Sequence, residues 1–354
     1  MMTPAHGKGS RRAALGVLAA GMMQVLVSGQ QSSAPPRVPL TAGLTITAAV
    51  AHPEGDAEVI LMVQSVAPDG YRLSFSFEGP EPMGSSKVMR RVLMKDQREA
   101  RIMRNWYGAN DPETFPGTTP FFSSAIINDL RQTGRAKLTL LVATSAATLG
   151  QTQVQELPGS VSRIEPTAVG VPLLVNGRLV EVATIHAKAD VGDGTMRRSA
   201  DLYVLDDPDN PIIVRWRDET RNSRILKLDF PTKSLERELT ERRSAEVYGI
   251  YFGFASATIR PESDRVLQEI AETLQRNAAW KLRIEGHTDG IGADAANLEL
   301  SKRRSAAVRD ALVARFKIAP DRLTTDGKGE SAPKATNDTP EGRAQNRRVE
   351  LTRQ

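Results

Sequence analysis

The alternation of apolar and polar positions along this chain changes character near residue 246. Before that point the apolar runs are short. Leu44 to Val50, Glu58 to Val66 and Tyr71 to Phe77 are rich in β-branched and aromatic residues and are punctuated by Pro53-Glu54-Gly55 and Pro68-Asp69-Gly70, which predicts a meander of strands joined by tight turns. Within this stretch Ser123 to Thr133 places Ile126, Ile127 and Leu130 at helical spacing and stops before Gly134, so one helix is expected there. Leu173 to Val175 and Leu179 to Ile185 flank Asn176-Gly177, a pair that tolerates the positive φ of a two-residue hairpin turn. A second hairpin is expected to pair Leu202 to Leu205 with Ile212 to Trp216 across the acidic turn Asp206 to Pro211.

From Tyr248 the period lengthens and strands alternate with helices. Tyr248 to Phe254 reads as a strand, Pro261 opens a helix carrying Val266, Leu267, Ile270 and Leu274 on one face, and Trp280, Leu282 and Ile284 alternate with Lys281, Arg283 and Glu285 in a second strand ending at Gly286. A loop over His287 to Ala296 leads into a long helix from about Leu298 to Phe316, with Arg322 to Thr325 and Arg347 to Leu351 as further strands. Leu235 and Leu239 among charged neighbours predict a short connecting helix. The fold class is therefore α+β: a mainly-β domain over 41–230, a connecting segment over 231–245, and a C-terminal domain over 246–354 with two helices packed on a small mixed sheet.

The amino terminus changes the picture. Lys8, Arg11 and Arg12 form a basic start, Ala13 to Val27 is apolar, and Val27-Ser28-Gly29 offers small residues for cleavage near Gln30. Residues 1–29 read as a signal peptide, with 30–40 a Pro- and Ser-containing leader. The apolar run falls short of the ~20 residues of a membrane-spanning helix, the retained anchor being the alternative. Ser10-Arg11-Arg12 also resembles a twin-arginine export signal, although Ala14 stands where a bulky residue is usual, so either export route is open.

Composition narrows the function. Hydrophobic residues make up 40% and charged residues 25%, and the net charge of +5 is spread among acids, which does not call for nucleic acid. No Cys occurs, excluding disulfides, thiolate metal sites and lipid attachment to Cys. Aromatic residues at 5% argue against the girdled strands of a transmembrane barrel.

No HExxH, GxSxG or Walker loop is present, so neither a catalytic residue nor a cofactor is expected. Ser331-Ala332-Pro333-Lys334 matches a bare SxxK pattern, but Pro333 sits badly in the helix that chemistry uses. Gly327-Lys328-Gly329 reads as a glycine turn, the acidic residues 206–211 as a solvated turn in place of a calcium loop, and His287 as a packing residue, so no metal is expected.

The long helix holds the most informative residue. At ~100° per residue, Leu300, Ala307, Val308, Ala311 and Leu312 share one side, and Arg304 falls near its centre. A guanidinium there must be paired internally or bound to a ligand, because an unpaired buried charge is costly.

Gly286-His287-Thr288-Asp289, Gly292, Asn297, Leu300-Ser301-x-x-Arg304 and Asn346-Arg347-Arg348-Val349-Glu350 stand in the order and spacing of the OmpA-like peptidoglycan-binding domain, which the C-terminal region resembles; the same domain occurs in Pal-type lipoproteins and MotB-type stator proteins. The departures are Gly253, where an Asp is common, and Ser305 after the Arg, where Ala is usual. The resemblance implies non-covalent binding of peptidoglycan through the meso-diaminopimelate of its peptide stem. That residue presents an ammonium and a carboxylate, and the resemblance assigns Asp289 and Arg304 to it; by charge, Asp289 takes the ammonium and Arg304 the carboxylate. Thr288 and Asn297 either shape the loop between them or satisfy local backbone groups only. Arg347 and Arg348, read as strand neighbours, are expected to point to opposite faces, one to the pocket or an acid and one to solvent.

The leading expectation is a periplasmic, wall-associated envelope protein, held at the wall by 246–354, whose β-rich domain meets another envelope protein or acts as a spacer. The alternatives are a cell-wall enzyme with a dispersed site in 41–230, and a membrane-anchored motor or secretion-system component.

Overall fold

The computed structural model of the chain describes residues 37–50, 57–78, 85–104, 111–145, 153–231 and 235–354. Residues 1–29, read above as a signal peptide, most of the segment 30–40 and Pro53-Glu54-Gly55 lie outside the described residues. Strands appear where β-branched alternation predicted them, β1 (Thr45–Val50), β2 (Ala57–Ala67) and β3 (Gly70–Glu78), followed by elements that the pattern did not announce: β4 (Ser85–Leu93), a short helix α1 (Met94–Glu99) and two brief strands, β5 (Ile102–Met103) and β6 (Thr118–Thr119). The expected helix is α2 (Ser124–Gln132); the Ser123 side chain caps it by accepting from the Ile126 N–H, and Ile126, Ile127 and Leu130 are its buried face. There follow β7 (Arg135–Ser145), β8 (Gln153–Arg163), β9 (Val169–Val175), β10 (Arg178–Gly192), β11 (Arg197–Leu205), β12 (Ile213–Arg217) and β13 (Asn222–Asp229). Asn176 (φ 47°) and Gly177 (φ 73°) make the β9–β10 turn, and the second hairpin pairs Leu202 with Trp216 and Val204 with Ile213.

Among the described residues these thirteen strands form one sheet, in the order β4-β3-β2-β1-β13-β12-β11-β10-β8-β7-β5-β6, with β9 pairing both β10 and β13. The pairings β9–β10, β10–β11, β11–β12, β12–β13 and β13–β9 close a ring. β10 shows how one strand serves two cores. Its buried positions run Val182, Thr184, then slip by one to Ile185, Ala187, Ala189 and Val191, where its partner on that edge changes from β9 to β8. Because side chains alternate with period two, the slip turns the apolar set to the other face. Val182 packs with Leu44, Leu173 and Ile225, whereas Ile185 packs with Phe122, Leu130 and Leu157 under α2.

The C-terminal region begins with α3 (Leu235–Glu241) and β14 (Ser244–Val247), then a single-turn helix (Pro261–Ser263) running into α4 (Asp264–Arg276), β15 (Leu282–His287), α5 (Asp294–Phe316), β16 (Leu323–Gly329), α6 (Pro340–Asn346) and β17 (Val349–Arg353). The sheet order is β14-β17-β15-β16, with β15 and β16 parallel and the other pairs antiparallel. Its core joins Leu267, Ile270 and Leu274 of α4 to Ile284, Leu351, Val308 and Leu312.

Several expectations change here. The strand expected at Tyr248 to Phe254 is instead β14, ending at Val247. Beyond it the backbone is claimed by side chains: Lys227 Nζ donates to the Tyr248 carbonyl at 2.7 Å, and the Tyr251 N–H donates to Ser263 Oγ at 2.8 Å. The long helix starts four residues early, at Asp294, because Gly292 (φ 103°) completes the turn by itself and the Asn297 N–H already bonds the Ala293 carbonyl. Gly327 and Gly329 are not a turn; they lie in β16, and with Gly286 they let α5 rest on the sheet. A Cβ at Gly327 would stand 2.4 Å from Ser301 Oγ and 2.5 Å from the Lys302 nitrogen. Among the described residues no helix is long and apolar enough to cross a membrane.

Candidate functional site

β15 delivers Gly286, His287, Thr288 and Asp289 to the C-terminal end of a parallel strand pair, and α5 returns beside it carrying Asn297 and Arg304. The turn between them is built by Asn297, whose Nδ2 donates to the carbonyls of Asp289 (3.2 Å) and Ile291 (3.1 Å) and to Glu330 Oε2 (2.6 Å). Thr288 is buried; its N–H bonds the Gly329 carbonyl at 2.9 Å, while its hydroxyl has no partner. Asn297 thus bonds the backbone of the loop from the first turn of the following helix, and Thr288 ties the strand end to the neighbouring parallel strand.

Arg304 does not form the internal salt bridge that burial alone would demand. Its Nε donates to the Ser256 carbonyl at 3.0 Å and its guanidinium lies 4.9 Å from the centre of the Phe252 ring, and among the described residues it makes no ion pair. Burial, reinforced by Arg347, pushes its pKa down to about 10, with Glu58 and Asp289 opposing, so it stays cationic at neutral pH. Asp289 pairs with Arg347 at 2.6 Å, not with Arg304. The two residues assigned to the zwitterion are therefore close enough to feel each other's charge without being locked together.

Arg347 and Arg348 depart from the strand reading, since both precede β17 and Arg347 closes α6. Arg347 bridges Asp289 and Glu58, the latter at 2.9 Å, and these carboxylates hold its guanidinium charged against the cost of burial. Arg348 does not meet solvent: it is buried and donates to the Asn346 and Ala332 carbonyls and to Glu350. His287 is 5% exposed, and neither ring nitrogen has a hydrogen-bond partner. Burial, and then Arg348, push its pKa down to about 4, so it packs as a neutral imidazole.

Arg304, His287, Arg347 and Arg348 line a cavity of about 50 Å³ whose remaining wall includes Glu58 and Lys227 of the β-rich region. Burial disfavours the Glu58 carboxylate, but Arg347, Lys227, Arg260 and Arg304 outweigh it, and the pKa of Glu58 is lowered. Its participation had no signal in the sequence, because nothing in an alternating strand says which of its ends will dock. Chemically, the arrangement offers an anion, Asp289, paired with the Arg347 guanidinium, and a cation, Arg304, that lines the cavity with Arg347, whereas Asp289 lies outside the lining. Among the described residues no group of His, Asp and Glu is arranged to hold a metal ion.

Residues 251–347 match the OmpA family. The chain is 42% identical over 101 residues to Outer membrane protein A of Bordetella avium, covering 28% of this chain and 52% of that protein. It is 41% identical over 102 residues to the Peptidoglycan-binding protein ArfA of Mycobacterium tuberculosis, covering 29% and 31%. Among solved structures it resembles the peptidoglycan-associated lipoprotein of Burkholderia pseudomallei, at 30% identity over 30% of this chain and 88% of that one, TM-score 0.28. The chain thus spans about half, or less, of the curated relatives it matches, and the matched segment is the C-terminal region.

Proposed function

Residues 251–347 being an OmpA family domain, we propose that the chain binds peptidoglycan non-covalently through the meso-diaminopimelate of the peptide stem and thereby tethers an exported envelope protein to the cell wall. The carrying observation is the separation of Asp289 and Arg304: the anion is held by Arg347, and the cation makes no ion pair among the described residues. A ligand carboxylate gains a charge-assisted fork from Arg304, whose neighbours have already removed most of its water. The ligand ammonium is drawn to Asp289. Relatives named for peptidoglycan binding or association support the same reading. On it the protein resides in the periplasm against the wall, exported by residues 1–29, with the β-rich region as a spacer or the docking face for another envelope protein. No reaction is assigned to it.

The test is retention on purified sacculi. Asp289→Ala and Arg304→Ala should each lower retention by more than about tenfold, the scale expected when one half of a desolvated charge recognition is removed. Walls carrying lysine in place of diaminopimelate lack the terminal carboxylate and should bind poorly. Wild-type retention by both variants would refute the assignment, and equal binding to both wall types would point to the glycan instead.

A further inference from the structure

The cleft described above is closed from the outside by a residue of the β-rich region. Glu58, at the start of β2, reaches the C-terminal region and pairs with Arg347 at 2.9 Å. Its charge is also the strongest favourable influence on Arg304. Glu58, Arg347 and Arg304 line the same cavity. The cleft is lined by the cations Arg304, Arg347, Arg348 and Lys227 and by the carboxylate of Glu58, while Asp289 and Asp229 stand outside the lining, paired with Arg347 and, at 3.7 Å, with Lys227. Arg347 is already paired with Glu58 and Asp289, so a ligand carboxylate that reaches it must displace one of them. The space left is about 50 Å³, room for a few water molecules, whereas pockets that hold organic ligands measure hundreds of Å³.

The rest of the interface between the two regions carries many polar contacts. Besides a small cluster of Ala49, Leu174, Leu226 and Ala344 and the buried rings of Tyr248, against Gly177, and Tyr251, 4.3 Å from Lys227, the contacts across it among the described residues include Arg260 to Ser76 Oγ at 2.7 Å, Lys87 to Glu262 at 3.5 Å, Arg224 to Glu341 at 3.2 Å, and Lys227 to the Tyr248 carbonyl. The three large apolar clusters each stay within their own region. Interfaces of this composition resemble those between transiently associated domains. We propose that the β-rich region holds the wall-binding cleft closed, with the Glu58 carboxylate standing between Arg347 and Arg304 as an internal substitute for the ligand carboxylate, and that the peptide stem binds by displacing it. This rests on the peptidoglycan reading of the same cleft. Closure lowers apparent affinity by the fraction of molecules that are open, so anything that weakens the interface strengthens wall binding.

The experiment uses the full chain and measures retention on diaminopimelate-containing sacculi, with free meso-diaminopimelate as competitor. Glu58→Gln keeps the shape and removes the competing charge; it should tighten binding on the order of tenfold, within the usual range of intramolecular coupling. Arg224→Ala, which loosens the interface away from the cleft, should shift binding in the same direction by less. If Glu58→Gln binds as the wild type does or more weakly while Arg304→Ala still loses retention, the closure is wrong and the wall-binding reading stands. If Arg304→Ala in the Glu58→Gln background retains full binding, the cleft is not the peptidoglycan site and both fall.

Discussion

Substituting Gly286 with Ala tests how the site is held together, because the strand that ends in Asp289 and the helix that carries Arg304 meet at this glycine. Its φ is not left-handed, so an alanine there adds volume without backbone strain. An ideal Cβ at position 286 would lie 2.3 Å from the Ser301 carbonyl oxygen, 3.0 Å from its carbon and 3.3 Å from its Cα. All three are backbone atoms of α5, so relief requires the helix to lift by roughly 1 Å. A gap of that size forfeits a quarter to a half of the dispersion attraction across it. Val308 and Leu312, both fully buried against the sheet, lie on the lifted face. Overpacking of this kind costs about 1–3 kcal/mol, and a contact between two backbones belongs at the upper end. Urea denaturation followed by circular dichroism should show a lower midpoint with an unchanged slope. Gly134→Ala is the control: it has positive φ and nothing within 4 Å, so it pays only the left-handed penalty of about 1–2 kcal/mol. A Gly286→Ala protein within 0.5 kcal/mol of wild type would refute direct seating of α5 on the strand.

Three further outcomes are expected. The depressed pKa of His287, about 4 against roughly 6.5 unfolded, means its contribution to stability is complete above pH 6.5 and lost as pH falls toward 4. The stability difference between wild type and His287→Asn should therefore move against the wild type by up to about 3 kcal/mol across that window, and a pH-independent difference would show that the ring is not held neutral. Asn297→Ala removes the donor shared by Asp289, Ile291 and Glu330, and should weaken sacculus binding at least about tenfold with the fold intact by circular dichroism; unchanged binding would mean that the loop is held by other contacts. Ser123→Ala should cost about 1–2 kcal/mol through loss of the α2 cap without altering wall binding, measured by thermal unfolding and retention together.

Local pattern alone specified much of this molecule. Period-two runs placed β1 to β3 and both hairpins, because alternation and Asn-Gly turn chemistry act over a few residues. Helical spacing and the Ser123 cap placed α2, and five spaced elements of the C-terminal motif identified the region that carries the cleft. What the sequence by itself left undecided were choices made between distant segments. Whether Gly327 turns the chain or lies flat under a helix depends on how near α5 comes. Tyr248 to Phe254 looks like a strand, yet Lys227 takes the Tyr248 carbonyl, Ser263 takes the Tyr251 N–H, and Phe252 makes only an isolated bridge with Ile259. Whether Arg304 pairs internally depends on which carboxylates the fold brings within reach: Asp289 goes to Arg347, and Glu58 arrives from almost two hundred and fifty residues away in the chain. Hydrogen bonds and charges act through space, so the partner of a buried charge is settled only when the tertiary structure has brought the candidates together.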